Sequence, residues 1–164
     1  MRDWSLRAFT PSDVRLLARV DSEFEDHGIK SPECSLPGND WAEPGSLVVV
    51  EAGSTVGGVG WYRPVHGPGE GSRGFGIGIQ LLPDAQGRGI GTWAQAELAR
   101  LILLHTPANR VEASTDAQNI AEQRALDKAG FTREGVMRGA QWRLGTWHDM
   151  VMFSRLRADG SGPG

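Results

Sequence analysis

The chain of 164 residues lacks the features that mark extracellular, membrane or nucleic-acid-binding proteins. Its single cysteine, Cys34, excludes an internal disulfide bond and is typical of a reducing compartment, so we expect a cytoplasmic protein. No apolar run reaches the length of a membrane span, and the first four residues do not begin a signal peptide. The net charge is −3 without a basic stripe, so we expect no nucleic acid and no membrane as partner.

Periodicity in the sequence predicts an alternation of strands and helices. Strand patterns fall at residues 4–9, 47–51, 56–62, 73–82, 110–114, 131–137 and 148–156, and a loop at 138–147 joins the last two. Helices are predicted after the N-cap Thr10, at 90–105 and at 119–129. This order predicts an α+β fold with a mixed sheet flanked by helices. We expect one domain over residues 1–157 and a disordered tail at 158–164.

A glycine-rich turn, Gln86-Gly87-Arg88-Gly89-Ile90-Gly91, joins a predicted strand to a predicted helix in the middle of the chain. The first N–H groups of a helix have no intrahelical partner, and the helix dipole is positive at that end. Glycine also lets a phosphate approach the backbone closely. The turn therefore predicts a site for a pyrophosphate group.

Two neighbouring predicted strands each have one face without side chains. The glycines of this bare face are Gly58, Gly60, Gly74, Gly76 and Gly78. Glycine within a strand often marks the close approach of a ligand or another backbone. The bare face predicts a groove for an extended cofactor arm and a substrate, unless bulky tryptophans fill it from the opposite side.

The glycine-rich turn resembles the Q/R-x-x-G-x-G/A signature of the GNAT superfamily of acyl-CoA N-acyltransferases. A second segment, Asn119 followed by Leu126-Asp127-Lys128-Ala129-Gly130-Phe131 and Glu134-Gly135, resembles the branch that contains the ribosomal-protein N-terminal acetyltransferases. Trp147-His148-Asp149-Met150 is similar to the W-x-D ending of that branch. The resemblance covers residues 2–157, apart from the loop at 25–45.

The resemblance implies a splayed, mostly antiparallel seven-stranded sheet with acyl-CoA between the fourth and fifth strands. It implies acetyl-CoA or another acyl-CoA as cosubstrate, no metal, and direct attack of a primary amine in a ternary complex. An N–H of residues 80–82 would polarise the thioester carbonyl. The implied cofactor contacts are Gln80, Leu81, Leu82, Gln86, Gly87, Arg88, Gly89, Ile90, Gly91, Thr92, Asn119 and Glu122. Independently of any ligand, Asn119 and Glu122 also have the spacing of a helix-capping box.

Three positions depart from the family pattern. Leu126 stands where many relatives have a tyrosine that protonates the leaving thiolate. Glu122 stands where the branch often has serine, and Gly76 where it often has glutamate. The only tyrosine, Tyr62, is predicted on a strand. The general acid and base therefore stay open, with Glu112, His148 and Asp149 as the catalytic candidates.

Tryptophans near loops predict the binding site of the acceptor. Aromatic walls bind apolar or heterocyclic groups and stack on cations, and the acidic net charge suits an amine. The predicted acceptor contacts are Trp41, Trp61, His66, Trp142 and Trp147, whereas Trp4 and Trp93 are predicted in the core. This pattern favours a small-molecule amine over a peptide N-terminus. Monomer and homodimer both stay open.

Two other classes of function match parts of the sequence. Gly89-x-Gly91-x-x-Ala94 fits a dinucleotide-binding pattern, but it lies in mid-chain after three hairpin-like strands. A non-catalytic acyl-CoA-binding protein would account for the three departures. A turnover assay with acetyl-CoA separates that protein from an enzyme.

Overall fold

A computed structural model describes residues 3–20, 23–24 and 37–160. Cys34, residues 25–36 of the predicted loop and residues 161–164 of the predicted tail lie outside the described residues. The strands are β1 (Trp4–Arg7), β2 (Gly45–Glu51), β3 (Ser54–Tyr62), β4 (Phe75–Leu81), β5 (Arg110–Asp116), β6 (Thr132–Arg143) and β7 (Thr146–Leu156). The α-helices are α1 (Pro11–Leu17), α2 (Ile90–His105) and α3 (Ile120–Lys128).

The seven strands form one sheet in the order β1-β2-β3-β4-β5-β7-β6. Every neighbouring pair is antiparallel except β4 and β5, which run parallel. The parallel pair is joined only at Phe75–Ile77 and Val111–Ala113, although each strand has seven residues. Their C-terminal parts therefore diverge. The predicted α+β class and the splayed, mostly antiparallel sheet are confirmed.

The two faces of the sheet are covered differently. Strand alternation directs Phe75, Ile77 and Val111 toward one face, where α2 and α3 complete the main hydrophobic core. The helix α1 packs on the opposite face, where its Leu17 lies against Gly58 of β3. Among the described residues, no helix is long and apolar enough to cross a membrane.

The predicted start of α1 is confirmed, with Thr10 at the N-cap and Pro11 at the first helical position. Asp13 is buried and accepts hydrogen bonds from Arg7 at 2.7 and 3.0 Å and another from the Thr55 hydroxyl. The Arg7 guanidinium, more than any other group, holds the pKa of Asp13 well below its usual range. Asp13 thus fixes α1 to both β1 and β3.

Two segments are more ordered than the sequence predicts. Residues 138–147, predicted as a loop, belong mostly to β6 and β7, which meet in a tight turn. Leu144 and Gly145 both have positive φ, 51° and 80°, as the two central residues of a type I′ hairpin turn do. Residues 157–160 of the C-terminal region form a short 3₁₀ helix, and the Arg157 side chain donates to three carbonyl oxygens at the end of α2.

Candidate active site

The glycine-rich turn follows the C-terminal end of β4, where β4 is no longer paired with β5. A 3₁₀ turn at Pro83–Ala85 follows β4, and Gly89 is then the N-cap of α2. Gly87 and Gly89 have φ of 71° and 85°, a left-handed conformation that favours glycine. Within the described part of the chain, the backbone N–H groups of residues 87–92 have no hydrogen-bond acceptor. The turn therefore presents unpaired donors at the positive end of a 16-residue helix.

The side chains of the turn are directed away from these donors. Gln86 donates back to the carbonyl of Leu81 at 3.3 Å, and Arg88 forms an ion pair with Glu51 at 2.8 Å. Ile90 is fully buried in the core. The backbone, rather than the side chains, is thus what this turn offers to a ligand.

The start of α3 lies on the other side of the diverging strands. Asn119 follows β5 and is the N-cap of α3, and its Oδ1 accepts from the backbone N–H of Glu122 at 3.2 Å. This is the predicted capping bond. Leu126 of the same helix is fully buried in the core, so its side chain does not reach the space between the strands. A cofactor contact of Asn119 or Glu122 stays a prediction.

The C-terminal half of β4 has no strand beside it on the β5 side. Gln80 is held by a hydrogen bond from its side-chain amide to the carbonyl of Val20, at 3.1 Å. The N–H of Leu82 donates to Val56 at 2.9 Å, so it is not free to polarise a thioester. Alternate residues of β4 face β3, so the N–H of Gln80 is directed at β3 like that of Leu82. Of the three predicted N–H groups, that of Leu81 is left as the candidate for that role.

The predicted bare face is largely filled, although not by tryptophans. A Cβ atom at Gly58 would lie 3.1 Å from Phe9 and 3.3 Å from Leu17. A Cβ at Gly60 would lie 2.9 Å from the Ser46 hydroxyl. The packing of α1 and β2 therefore accounts for these two glycines, and no long groove runs along β3.

The glycines in and just before β4 differ in whether other atoms fill the space that a side chain would take. A Cβ at Gly76 would overlap the ring of Tyr62 and lie 2.5 Å from its hydroxyl oxygen. Before β4, a Cβ at Gly74 would lie 3.8 Å from His66. At Gly78 no described atom lies within 4 Å of a Cβ position. Gly78 is also the first residue of β4 beyond its pairing with β5. The open space of this face is therefore confined to the point where the strands separate.

A polar cluster closes the inner end of this space. Tyr62, Gly76, Glu112 and Ser154 are directly opposite one another on four adjacent strands and so share one face. The Glu112 side chain is only 4% exposed and contacts His66 Nε2 and Arg110 Nε, each at 2.9 Å. Burial first, and then the nearby Glu112 carboxylate, raises the pKa of the half-exposed Tyr62 above its usual value. Two predicted site residues, Glu112 and His66, are thus brought together.

A second carboxylate extends the cluster. Glu134 forms a two-bond ion pair with Arg110, both distances being 2.6 Å, and accepts from the Ser154 hydroxyl. The Arg110 guanidinium, with help from Ser154, lowers the pKa of Glu134 to about 2. The sequence had indicated Glu134 only as part of a family motif, because its partners come from other strands.

The predicted catalytic residues His148 and Asp149 both have hydrogen-bond partners within the β6–β7 hairpin, and a catalytic role for either stays a prediction. The Nδ1 of His148 accepts from Arg143 at 3.0 Å, and its Nε2 contacts the carbonyl of Arg143 at 3.2 Å. Arg143 in turn forms a buried ion pair with Asp116, a cluster that the sequence did not reveal. Asp149 lies on the opposite face, exposed, and accepts from the backbone N–H of Gly139 at 2.7 Å. Both residues therefore hold the β6–β7 hairpin in place.

The four predicted acceptor-binding tryptophans lie on the face opposite Tyr62. Trp61 is 3% exposed in the core, and Trp41 packs on it with ring centroids 4.6 Å apart. Trp142 and Trp147 form an exposed edge-to-face pair near the hairpin turn. Strand alternation directs all three strand tryptophans away from the glycine face. A contact of these four residues with an acceptor stays a prediction. Trp4 and Trp93 pack against the core as predicted.

One cavity among the described residues lies far from the turn, at the other end of α2. It measures 380 Å³ and is lined by Trp41, Phe75, Arg63 and the C-terminal end of α2. The glycine-rich turn is at the other end of that helix. The guanidinium of Arg63 lies 4.2 Å from the Phe75 ring centre and donates to backbone carbonyls of Trp41 and Gly74, so it anchors the adjoining loop.

Comparisons with known proteins agree with this geometry. The chain is 31% identical over 83 residues to the probable N-acetyltransferase YjcK of Bacillus subtilis, a match that covers 51% of this chain and 46% of that protein. The chain thus spans about half the length of this curated relative. A spermidine N-acetyltransferase (SpeG) chimera from Vibrio cholerae and hSSAT has a similar structure, with a TM-score of 0.79 at 15% identity over 98% of this chain and 99% of that chain.

A second solved structure of similar fold contains a CoA compound. Mycobacterium smegmatis RimJ in complex with CoA-disulfide has a TM-score of 0.64 and 22% identity, over 74% of this chain and 56% of that chain. At these identities the two solved structures show a shared fold. The model of the acetyltransferase (GNAT) domain matches residues 4–132, most of the chain. The chain therefore belongs to the GNAT acetyltransferase family.

Proposed function

We propose that the chain transfers an acetyl group from acetyl-CoA to a primary amine, and that residues 1–157 form the single catalytic domain. The observation that carries this proposal is the pair of diverging strands with unpaired backbone donors at their open end. The pyrophosphate binds residues 87–91 at the start of α2. The pantetheine arm lies between β4 and β5, along Gln80 and Leu81, and Asn119 borders it from α3.

The acceptor reaches the thioester from the face of α1. On the other face, Ile77 and Ala113 are 4% and 3% exposed within the main core, which leaves no path for a second substrate. At Gly78, by contrast, no described atom occupies the Cβ position. The amine therefore approaches at Gly78, between the Tyr62 ring and the end of α1, for direct attack in a ternary complex.

Glu112 and His66 are the proposed route for the proton of the amine. Glu112 lies directly beside the point where the strands separate, and His66 connects it to solvent because the His66 side chain is 48% exposed. An amine nitrogen must lose one proton during acyl transfer, and a relay of two titratable groups carries it out of a buried site. The pKa of a CoA thiol, about that of cysteine at ~8.5, lets it leave as thiolate at neutral pH.

A small-molecule amine is the proposed acceptor. The open position at Gly78 is one residue wide, and the acidic net charge of −3 favours a cation. Proteins of similar fold include one named for spermidine and others named for ribosomal proteins, so a peptide N-terminus is the alternative.

The test combines calorimetry with a turnover assay. CoA is titrated into the protein, and release of free thiol from acetyl-CoA is then followed with polyamines, small primary amines and peptides that begin with alanine or serine. We expect CoA binding and turnover with a small amine. Turnover with peptides alone would show that the acceptor is a peptide N-terminus rather than a small-molecule amine. Binding without turnover on any amine would indicate a non-catalytic acyl-CoA-binding protein.

A further inference from the structure

We infer that the Tyr62 ring sets the acyl group that the donor can carry, limiting it to acetyl by closing the inner end of the space between β4 and β5. This inference rests on the proposed function, because it assumes that an acyl-CoA occupies that space. Tyr62 is the only tyrosine of the chain and projects from β3 across β4.

The direction of the cofactor places its acyl group at this inner end. The glycine-rich turn lies at the C-terminal, open end of β4, and the strands converge toward Ile77 and Ala113. A pyrophosphate at the turn directs the pantetheine arm inward, so the thioester at the far end of the arm is the deepest part of the ligand. The acyl group therefore lies near Gly78.

Apart from the open position above Gly78, which is the proposed path of the amine, the directions in which an acyl chain can extend are closed by described residues. Beyond Gly78 the two strands are hydrogen-bonded to each other, so nothing passes between them. The α2 face is filled by the core residues Ile77 and Ala113. On the α1 face, the next position inward is Gly76, which has no side chain of its own.

The Tyr62 ring occupies the space that Gly76 leaves empty. A single methyl group at Gly76 would overlap this ring, so an acyl chain that continues past Gly78 meets it as well. Behind the ring lies Glu112 with its partners His66 and Arg110, a polar environment that does not favour an apolar chain. The ring thus ends the acyl site after about two carbons of acyl chain, since successive positions on one strand face are ~7 Å apart.

The test compares acetyl-CoA with butyryl-CoA by calorimetry on three proteins: wild type, Tyr62→Phe and Tyr62→Ala. We expect wild type to bind butyryl-CoA at least tenfold more weakly than acetyl-CoA. Tyr62→Phe keeps the ring and should retain this ratio. Tyr62→Ala opens the space and should bring the two affinities within threefold or reverse them, because burial of two further methylenes is worth about tenfold in affinity.

Free CoA is titrated into all three proteins to separate the possible outcomes. If wild type and Tyr62→Ala show the same ratio while CoA binds both, the ring does not limit the acyl group and the inference is wrong. If Tyr62→Phe no longer discriminated between acetyl-CoA and butyryl-CoA, the hydroxyl and not the ring would limit the acyl group. That result would also overturn the inference. Failure of wild type to bind CoA would contradict the proposed function itself. If Tyr62→Ala does not fold, Tyr62→Val serves in its place, since valine suits a strand.

Discussion

The two ends of the space between β4 and β5 are built in different ways. The open end consists of backbone: the N–H groups of residues 87–92 have no described acceptor, and the adjacent side chains are directed elsewhere. The inner end consists of side chains that are paired with one another, with Glu112 buried between His66 and Arg110. Groups left unpaired in the folded protein are available to a ligand, whereas groups paired within it stabilise the fold. Substitutions at the two ends should therefore affect different quantities.

The largest effect is expected at the open end. Gly89→Asp should weaken CoA binding by at least 100-fold, because the carboxylate would repel the pyrophosphate at close range. Folding should survive, since aspartate is a favourable N-cap and tolerates positive φ better than most residues. Gly89→Asn is the matched control, with similar size and backbone preference and no charge, and should lose markedly less affinity. Equal CoA affinity in all three proteins, measured by calorimetry, would contradict the assignment of the turn.

At the inner end, a substitution should lower stability and turnover while CoA affinity is retained. Glu112→Gln removes a buried charge between His66 and Arg110 and should lower the free energy of unfolding by about 2 kcal/mol. CoA affinity should stay within twofold of wild type, while turnover falls at least tenfold if Glu112 carries the proton. Urea denaturation, calorimetry and thiol release measure the three quantities. If Glu112→Gln lost much of its CoA affinity at unchanged stability, the inner end would bind CoA rather than stabilise the fold, which would contradict the comparison.

Substitutions of Asn119 test whether its side chain only caps α3 or also binds CoA. Asn119→Ala should lower the free energy of unfolding by about 1 kcal/mol through loss of the bond to the Glu122 N–H. Asn119→Asp keeps the cap and should retain stability. If CoA affinity falls in both variants, the side-chain amide also binds the cofactor. Unchanged affinity in Asn119→Ala would limit Asn119 to capping.

The smallest effect concerns the ionisation of Tyr62. Because it is the only tyrosine, its phenolate absorbance reports a single site. Burial, and to a smaller degree Glu112, raises the pKa of Tyr62 above 10.0, so its contribution to stability is complete below pH 10 and declines as pH rises through the shifted value. Glu112→Gln should lower the pKa of Tyr62 toward 10. Titration of Tyr62 at the ordinary value in both proteins would show that the two groups are not adjacent.

The open end could be predicted from the sequence because its structure is local. Six consecutive residues specify the turn, its glycines meet its positive φ values, and the amphipathic segment after it becomes α2. The N-caps Thr10 and Asn119 are local signals of the same kind, and both were predicted correctly.

The inner end could not be predicted, because its contacts join distant parts of the chain. Tyr62 covers Gly76 only because β3 and β4 pair in one register, and a shift by one residue would turn the ring to the other face. The side of the sheet on which the predicted acceptor-binding and catalytic residues lie depends on register in the same way. Trp61 is adjacent to Tyr62 in sequence yet faces the core, and His148 and Asp149 are neighbours that face opposite ways.

The most direct measurement of the central claim is the change in backbone amide NMR shifts when CoA is added to the protein. An acyl-CoA between β4 and β5 should shift the amides of residues 87–92 most, followed by those of Gly78 to Leu81 and of residues 114–116, while the C-terminal end of α2 stays unchanged. Saturable CoA binding that leaves residues 87–92 unperturbed, or shifts confined to the cavity near Trp41, would contradict the account.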